Sequence, residues 1–450
     1  MLKKLNIKTS IILISIIIVI SYLCINLIID NNKFNNLKML FSTEQRELIK
    51  KYLFFHKHWT YQYKKELKKK KSGSDIEITE SIIELSNGQT LKKYVLNSGF
   101  HAGINNELPG SGYIDFIENN IFILSARGVL AFRKNLTDDE ENFKQIKNNI
   151  NEFIGLKQFK KDRWFSLKDL TIIKNQVFIS YTEEIKEDCW NTSIIYGDIN
   201  YKNIRFTKLF SPKECIHSVN NIDNEFNAHQ SGGKIISFDD NHILFSIGDY
   251  RSRSLGQNNQ SVNGKLIKIN IKNSNFEIFS MGHRNPQGLY FDKENNFILE
   301  TEHGPAGGDE INLIEVNKIS EDKIQNYGWP ISSMGEHYPS TENREKKYEK
   351  YPLYKSHAEH GFVEPLLAFV PSIAPSEIVK IAKNKYVVGA MGYFGDEDKS
   401  LYFFELNDEK KIINLNQVKV FERIRDLSFR NNKLYLFMED TASIGVINFN

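Results

Sequence analysis

The stretch KIISFDDNHILFS, Lys234 to Ser246, decides how this chain folds. An apolar run, a polar turn carrying Asn241 and a second apolar run make the pattern of a β-hairpin, because asparagine in a tight turn tolerates left-handed backbone. Five more copies lie along the sequence: YIDFIENNIFILS from Tyr113, LTIIKNQVFIS from Leu170, GLYFDKENNFILE from Gly288, EIVKIAKNKYVVG from Glu377 and DLSFRNNKLYLF from Asp426. Their turn asparagines are Asn120, Asn175, Asn241, Asn296, Asn384 and Asn432, spaced by 48 to 88 residues. A third apolar strand usually follows, such as KLIKINI from Lys265 or SLYFFEL from Ser400. One hairpin cannot bury its own face, whereas strand-rich units stacked around an axis can. The expected fold is all-β, a six-bladed β-propeller over residues 75–450. An early strand such as Ile82 to Leu85 is expected to join the last blade and close the ring. Two separate β-sandwiches fit less well, since the repeat runs unbroken.

Composition sets outer bounds. The chain has 450 residues, 40% hydrophobic and 26% charged, which excludes a mostly disordered or multi-span membrane protein. A net charge of +3 offers no strong pull on nucleic acid. That total averages unlike parts: residues 1–72 hold 15 Lys and Arg against 4 Asp and Glu, and the remainder 44 against 52. Lys3, Lys4 and Lys8 precede an uncharged run from Ile11 to Ile29, about the 20 residues that cross a bilayer. No A-x-A cleavage pattern follows. Residues 1–29 therefore read as an uncleaved N-terminal transmembrane helix, with a cleaved signal peptide as the competing reading. The lysines keep the start in the cytoplasm. This predicts a single-pass protein of the cytoplasmic (inner) membrane whose propeller faces the periplasm. Residues 30–74 read as a basic helical stalk, opened by a capping box at Ser42 and Gln45 and ending in the lysines from Lys64 to Lys71. It is either a solvated spacer or a contact for anionic head groups.

Further motifs combine glycine or proline turns, or paired charges, with polar groups at strand ends. They are HQSGGK (from His229), IGD (from Ile247), GHRNPQGL (from Gly282), EHGPAGGDEINL (from Glu302), NYGWP (from Asn326), PSIAPS (from Pro371) and RIRD (from Arg423). Each is weak alone. Seven in this order make the chain, over about residues 165–450, resemble the glucose/sorbosone dehydrogenase family, which includes soluble aldose sugar dehydrogenases.

The resemblance implies pyrroloquinoline quinone (PQQ) as cofactor, Ca²⁺ as activating ion, an aldose sugar as substrate and a quinone or cytochrome as electron acceptor. PQQ carries three carboxylates, which arginine grips better than lysine. The matching cofactor-binding positions are Arg284, Asn285, Arg423 and Arg425, with His303 a further candidate and His283 a second. Salt bridges at a strand end are the plainer reading of Arg423 and Arg425. A hard cation takes oxygen ligands, including main-chain carbonyls, and the family pattern falls on Gly304, Pro305 and Asp309. Their plainer reading is a tight glycine-rich turn capped by Asp309. His229 matches the family's catalytic base, a role neutral histidine suits near pH 7.

The chain also departs from the family. No lysine stands at Gly389 to Gly392, where relatives bind the cofactor with one. No glutamine-containing cofactor segment is evident around Trp164 to Leu170. Ala228 replaces an acid beside the base. A catalytically inactive propeller that binds carbohydrate or a protein partner is thus the alternative. Cys189 and Cys215 flank strands of the second repeat, where a disulfide or two buried thiols both fit. No dinucleotide loop, P-loop, G-x-S-x-G elbow or H-E-x-x-H motif is present.

Overall fold

The structure, a computed structural model, describes residues 75–96, 100, 111–136, 142–162, 164–319, 324–339, 341, 343–392 and 398–449, with Ser21 alone before them. The expected anchor and stalk lie outside the described residues. Among those described, no helix is long and apolar enough to cross a membrane.

Six sheets follow one another along the chain, antiparallel except for one short outer pair, Ser280–Met281 with Gln325–Asn326. Their innermost strands are Gly112–Ile117, Leu167–Ile173, Gly232–Ser237, Pro286–Asp292, Pro375–Ala382 and Ile424–Arg430. Each touches the next, and the last touches the first, so the ring closes. We number the blades 1 to 6 from these strands. Blades 1 to 5 each run outward in sequence order, as blade 5 does from Pro375–Ala382 through Lys385–Ala390 and Ser400–Leu406 to Ile412–Lys419.

Blade 6 is built from both ends of the described chain. Its C-terminal strand Ser443–Asn448 pairs with Thr90–Leu96, and Ile78–Glu84 pairs outside that. The expected early strand therefore joins the last blade, but Thr90–Leu96, not it, makes the joint with the C-terminal strand. Ile82 to Glu84 forms the solvent edge, with Ile82 70% exposed, while Leu91, Tyr94 and Leu96 are buried at the joint. Apolar side chains on both faces make Thr90–Leu96 the better interior strand.

Left-handed backbone occurs at Asn296, Asn384 and Asn432, as the repeat predicts (φ 54°, 56° and 55°). In blades 1 and 2 the left-handed residues of that turn are instead Glu118 (φ 51°) and Lys174 (φ 57°), each beside the turn's asparagines.

Six apolar clusters hold the ring, one in each gap between neighbouring blades. Phe122 and Leu124 of blade 1 meet Val177 and Ile179 of blade 2. Leu299 and Ile311 of blade 4 meet Ile378 and Val388 of blade 5. Ile123 of blade 1 meets Phe437 and Ile444 of blade 6. Second strands are thus buried on both faces, which is why they read as unbroken apolar runs.

Polar staples join the innermost strands nearer the axis. Asp115 accepts the Ile172 amide (2.5 Å), Asp169 that of Ile235 (2.8 Å), and Asp426 that of Ile114 (2.8 Å). Glu377 accepts the Leu289 amide at 3.3 Å. The two remaining junctions are spanned by Ser246 Oγ to the Pro286 carbonyl (3.2 Å) and Ser376 Oγ to the Ile424 carbonyl (2.7 Å). Lys234 reaches into the centre, pairing with Asp169 (3.1 Å), Glu377 and Asp426 (3.6 Å). Burial and mutual repulsion push Asp426 up to about 6 and Glu377 up to about 8.

Candidate functional site

A cavity of ≈ 290 Å³ opens where the innermost strands begin. Every blade contributes to its wall from the start of that strand: Ser111 and Tyr113, Ser166 and Lys168, His229 and Gly232, Arg284 and Gln287, Ser372 and Ala374, and Arg423 and Arg425. The ends of second strands add Arg127, His303 with Gly304, and Met391 with Gly392. Tyr338, which precedes a short helix, Arg344–Lys350, also lines the cavity.

Of the sequence-predicted residues, His229, Arg284, His303, Gly304, Asp309, Arg423 and Arg425 line this one space. Asn285 and Pro305 do not. Asn285 is buried behind the wall, where its Oδ1 accepts the Gly232 amide (3.1 Å) and its Nδ2 faces His303 Nδ1 (3.4 Å). Pro305 lines a small adjoining pocket with Arg251, Trp329 and Tyr338.

His303 Nε2 lies 2.8 Å from the Pro375 carbonyl. A carbonyl only accepts, so Nε2 carries the proton and Nδ1 faces the Asn285 amide. Burial, then Arg425, hold His303 neutral, down to about 3. His229 has its main-chain amide on Asn227 Oδ1 (3.1 Å), and Trp164 meets its ring edge-on at 5.1 Å between centroids. Its buried Nδ1 has no partner among the described residues. Burial, then the charges of Arg251 and Arg284, push His229 well below the ordinary histidine value. Both imidazoles are neutral at pH 7.

The arginines are held from behind. Glu439, fully buried, takes Arg423 Nε at 2.7 Å and Arg425 Nε at 2.8 Å. Burial opposes that carboxylate, but the two guanidinium groups overcome it and pull Glu439 down to about 2. The salt-bridged strand end and the cavity wall are thus the same two residues. Arg284 donates to the His303 carbonyl (2.7 Å), and its main-chain amide donates to Glu302 (2.6 Å). Behind it, buried His283 bonds Ser280 Oγ at 2.8 Å and does not line the cavity.

Asp309 caps its own loop. Its Oδ1 accepts the Gly304 amide (3.1 Å), and its Oδ2 accepts those of Ile373 (2.9 Å) and Ala374 (2.7 Å). Burial nonetheless lifts its carboxyl to about 6. Gly304 is fixed by close approach: a Cβ there would fall 1.6 Å from the Gly308 carbonyl oxygen.

Sequence reasoning missed Lys168, Arg127 and Trp164 as wall residues. Lys168 comes from the segment where no cofactor counterpart was evident, and its ammonium donates to the Trp164 carbonyl (2.9 Å) and lies 3.4 Å from that of Ala228. A β-bulge between Leu167 and Asp169 breaks the alternation of Leu167–Ile173 at this point, so no periodic signal in the sequence marked Lys168, which stands at the strand's cavity end. From Gly389 to Gly392, Met391 and Gly392 reach the wall.

Cys189 and Cys215 have Sγ atoms 2.08 Å apart and form a disulfide. It fastens the short strand Ile216–His217 to Cys189–Asp198 of blade 2. Trp190, next to the bridge, stacks on Phe165 at 3.4 Å, beside Trp164 in the chain.

Known proteins carry the same plan. The family model described as Glucose / Sorbosone dehydrogenase matches residues 172–447, more than half the chain. An uncharacterized protein of Synechocystis, slr1608, is 29% identical over 221 residues, 44% of this chain and 50% of the relative. Aldose sugar dehydrogenase YliI of Escherichia coli is 25% identical over 276 residues, 58% of this chain and 66% of the relative. The chain thus spans half to about two thirds of the length of these curated relatives. Among solved structures, a glucose dehydrogenase superposes with a TM-score of 0.59 at 20% identity, over 75% of this chain and 96% of its own, a likeness of fold. By the family match, this chain belongs to the glucose/sorbosone dehydrogenase family.

Proposed function

We propose that the chain is a PQQ-dependent sugar dehydrogenase that oxidises the anomeric hydroxyl of an aldose. The convergence of Arg284, Arg423 and Arg425 with a neutral His229 in one cavity carries this reading. PQQ fits that wall, because its three carboxylates need cationic forks and three arginines face the space. Ca²⁺ fits the oxygen donors of the Gly304–Asp309 loop, where a buried carboxyl already lifted to about 6 would be relieved by a cation. When bound, PQQ and Ca²⁺ supply a polarised quinone that accepts hydride.

The chain's own residues do the rest. Arg423 and Arg425, locked by Glu439, orient carboxylates. Arg284 does the same beside His303. A ring nitrogen of neutral His229 takes the hydroxyl proton as hydride leaves the sugar carbon. Electrons then pass to a quinone, cytochrome or other acceptor. Residues 1–29 anchor the chain in the cytoplasmic membrane, residues 30–74 form the stalk, and the propeller works in the periplasm.

Absorbance titration with PQQ and Ca²⁺, followed by aldose oxidation with an artificial acceptor, tests the enzyme. Micromolar binding and turnover are expected, with His229→Ala keeping PQQ but losing turnover by about 10²–10⁴-fold. Binding without turnover on any aldose would favour the inactive propeller, and no binding at micromolar PQQ would remove the cofactor from the reading. Finding the mature N-terminus near residue 30 would remove the anchor.

A further inference from the structure

Lys168 is the one lysine in the cavity wall, and its setting differs from that of the arginines. Arg423 and Arg425 share Glu439. Lys168 meets only the carbonyls of Trp164 and Ala228, and no carboxylate pairs with it among the described residues. Arg127 enters from blade 1, its guanidinium 4.5 Å above the Phe159 ring and one Nη on the Phe165 carbonyl. The cavity therefore presents five cations against one lining acid, Asp309. Burial, then Arg425 and Arg127, push the Lys168 ammonium down to about 7 against the opposing charge of Asp162. The Ala228 carbonyl places this ammonium within one residue of His229 in the chain.

We propose that Lys168, with Arg127, forms an anion subsite beside His229 that takes a carboxylate or phosphate group. With no carboxylate at salt-bridge distance among the described residues, two carbonyl contacts and the more distant charge of Asp162 leave this half-buried ammonium short of compensation, which an anionic ligand supplies. The source is either a carboxylate of PQQ, with Lys168 of blade 2 serving where blade 5 has no lysine, or an acidic group on the sugar. Both rest on the dehydrogenase reading above.

The test uses the full chain and its Lys168→Met and Lys168→Arg variants, each checked for an unchanged melting temperature. PQQ is titrated by absorbance, then kcat/KM is compared for glucose, glucuronate and glucose 6-phosphate. If the anion is the cofactor's, Lys168→Met weakens PQQ binding about tenfold or more, and Lys168→Arg recovers most of it. If it is the sugar's, PQQ affinity holds, and the preference for glucuronate or glucose 6-phosphate over glucose falls about tenfold in Lys168→Met. Unchanged PQQ affinity together with an unchanged preference overturns the subsite and leaves the dehydrogenase reading standing. If the wild-type chain binds no PQQ, that reading fails separately. Calorimetry with inorganic phosphate and glucuronate then decides the subsite: binding lost in Lys168→Met supports it, and no binding to the wild type overturns it.

Discussion

Glu439 is the residue on which the arginine wall depends. It is fully buried, and it holds both Arg423 and Arg425 by their Nε atoms. Removing one partner of a buried ionic network leaves uncompensated charge, at a cost of about 3–5 kcal/mol. Glu439→Gln should lose that much stability in urea unfolding and weaken PQQ binding with it. Its folded-state pKa is depressed, so its contribution is complete above the ordinary glutamate range and disappears as pH falls through about 2. His229 is displaced the same way for another reason, since burial and neighbouring cations disfavour its charged form. In the cofactor-free protein its ring protons, followed by NMR, should titrate below 6.5. Titration at or above 6.5 would contradict a base that is neutral throughout the physiological range. At this scale the motifs exposed His229 and the arginines, because each stands in a spaced pattern. Glu439 and Lys168 stand in none, and only the strand ends that surround them give them a role.

Loops and strands set how firmly those groups are held. The turn from Gly304 to Asp309 closes so tightly that an added methyl group overlaps the Gly308 carbonyl. Gly304→Ala should lower stability by about 1–3 kcal/mol, and calorimetric PQQ titration should show weaker binding, since His303 and Asp309 flank the turn. The disulfide spans 26 residues and pins the strand leading towards His229. Cys189→Ser with Cys215→Ser should cost about 2–4 kcal/mol by thermal unfolding. The hairpin repeat was legible because apolar runs and turn asparagines recur together. Which early strand closes blade 6 was not, since Ile82 to Glu84 and Thr90 to Leu96 are both apolar enough for an interior place. Pairing with Ser443–Asn448 decides between them.

Across the whole molecule, ring closure and the axial carboxylates make stability a property of all six blades. Deleting residues 75–97 removes Leu91, Tyr94 and Leu96 from the core and bares the Ser443–Asn448 edge. An exposed apolar edge strand pairs with other chains, so gel filtration should show aggregates where the longer chain gives a single species. Asp115 staples blade 1 to blade 2 while burial lifts it to about 7. A raised carboxyl binds its proton more tightly in the folded state, so its contribution is full below the unfolded value near 3.8 and is lost as pH rises through about 7. The stability of the wild type relative to Asp115→Asn should therefore fall by about 2–3 kcal/mol between pH 5 and pH 8. A constant difference in urea midpoints across that range would contradict the assignment.

By itself the sequence determined the repeat, the six blades and the family motifs, because local periodicity and turn chemistry are written in consecutive residues. The cavity was decided only in the tertiary structure. Its wall takes one or two residues from the start of each innermost strand, separated in the chain by 48 to 88 residues or so, as the repeats are. Nothing in the sequence links the axial acids Asp115, Asp169, Glu377 and Asp426 to one another. Each caps an amide of the neighbouring blade, and the last three surround Lys234, only once the ring has closed.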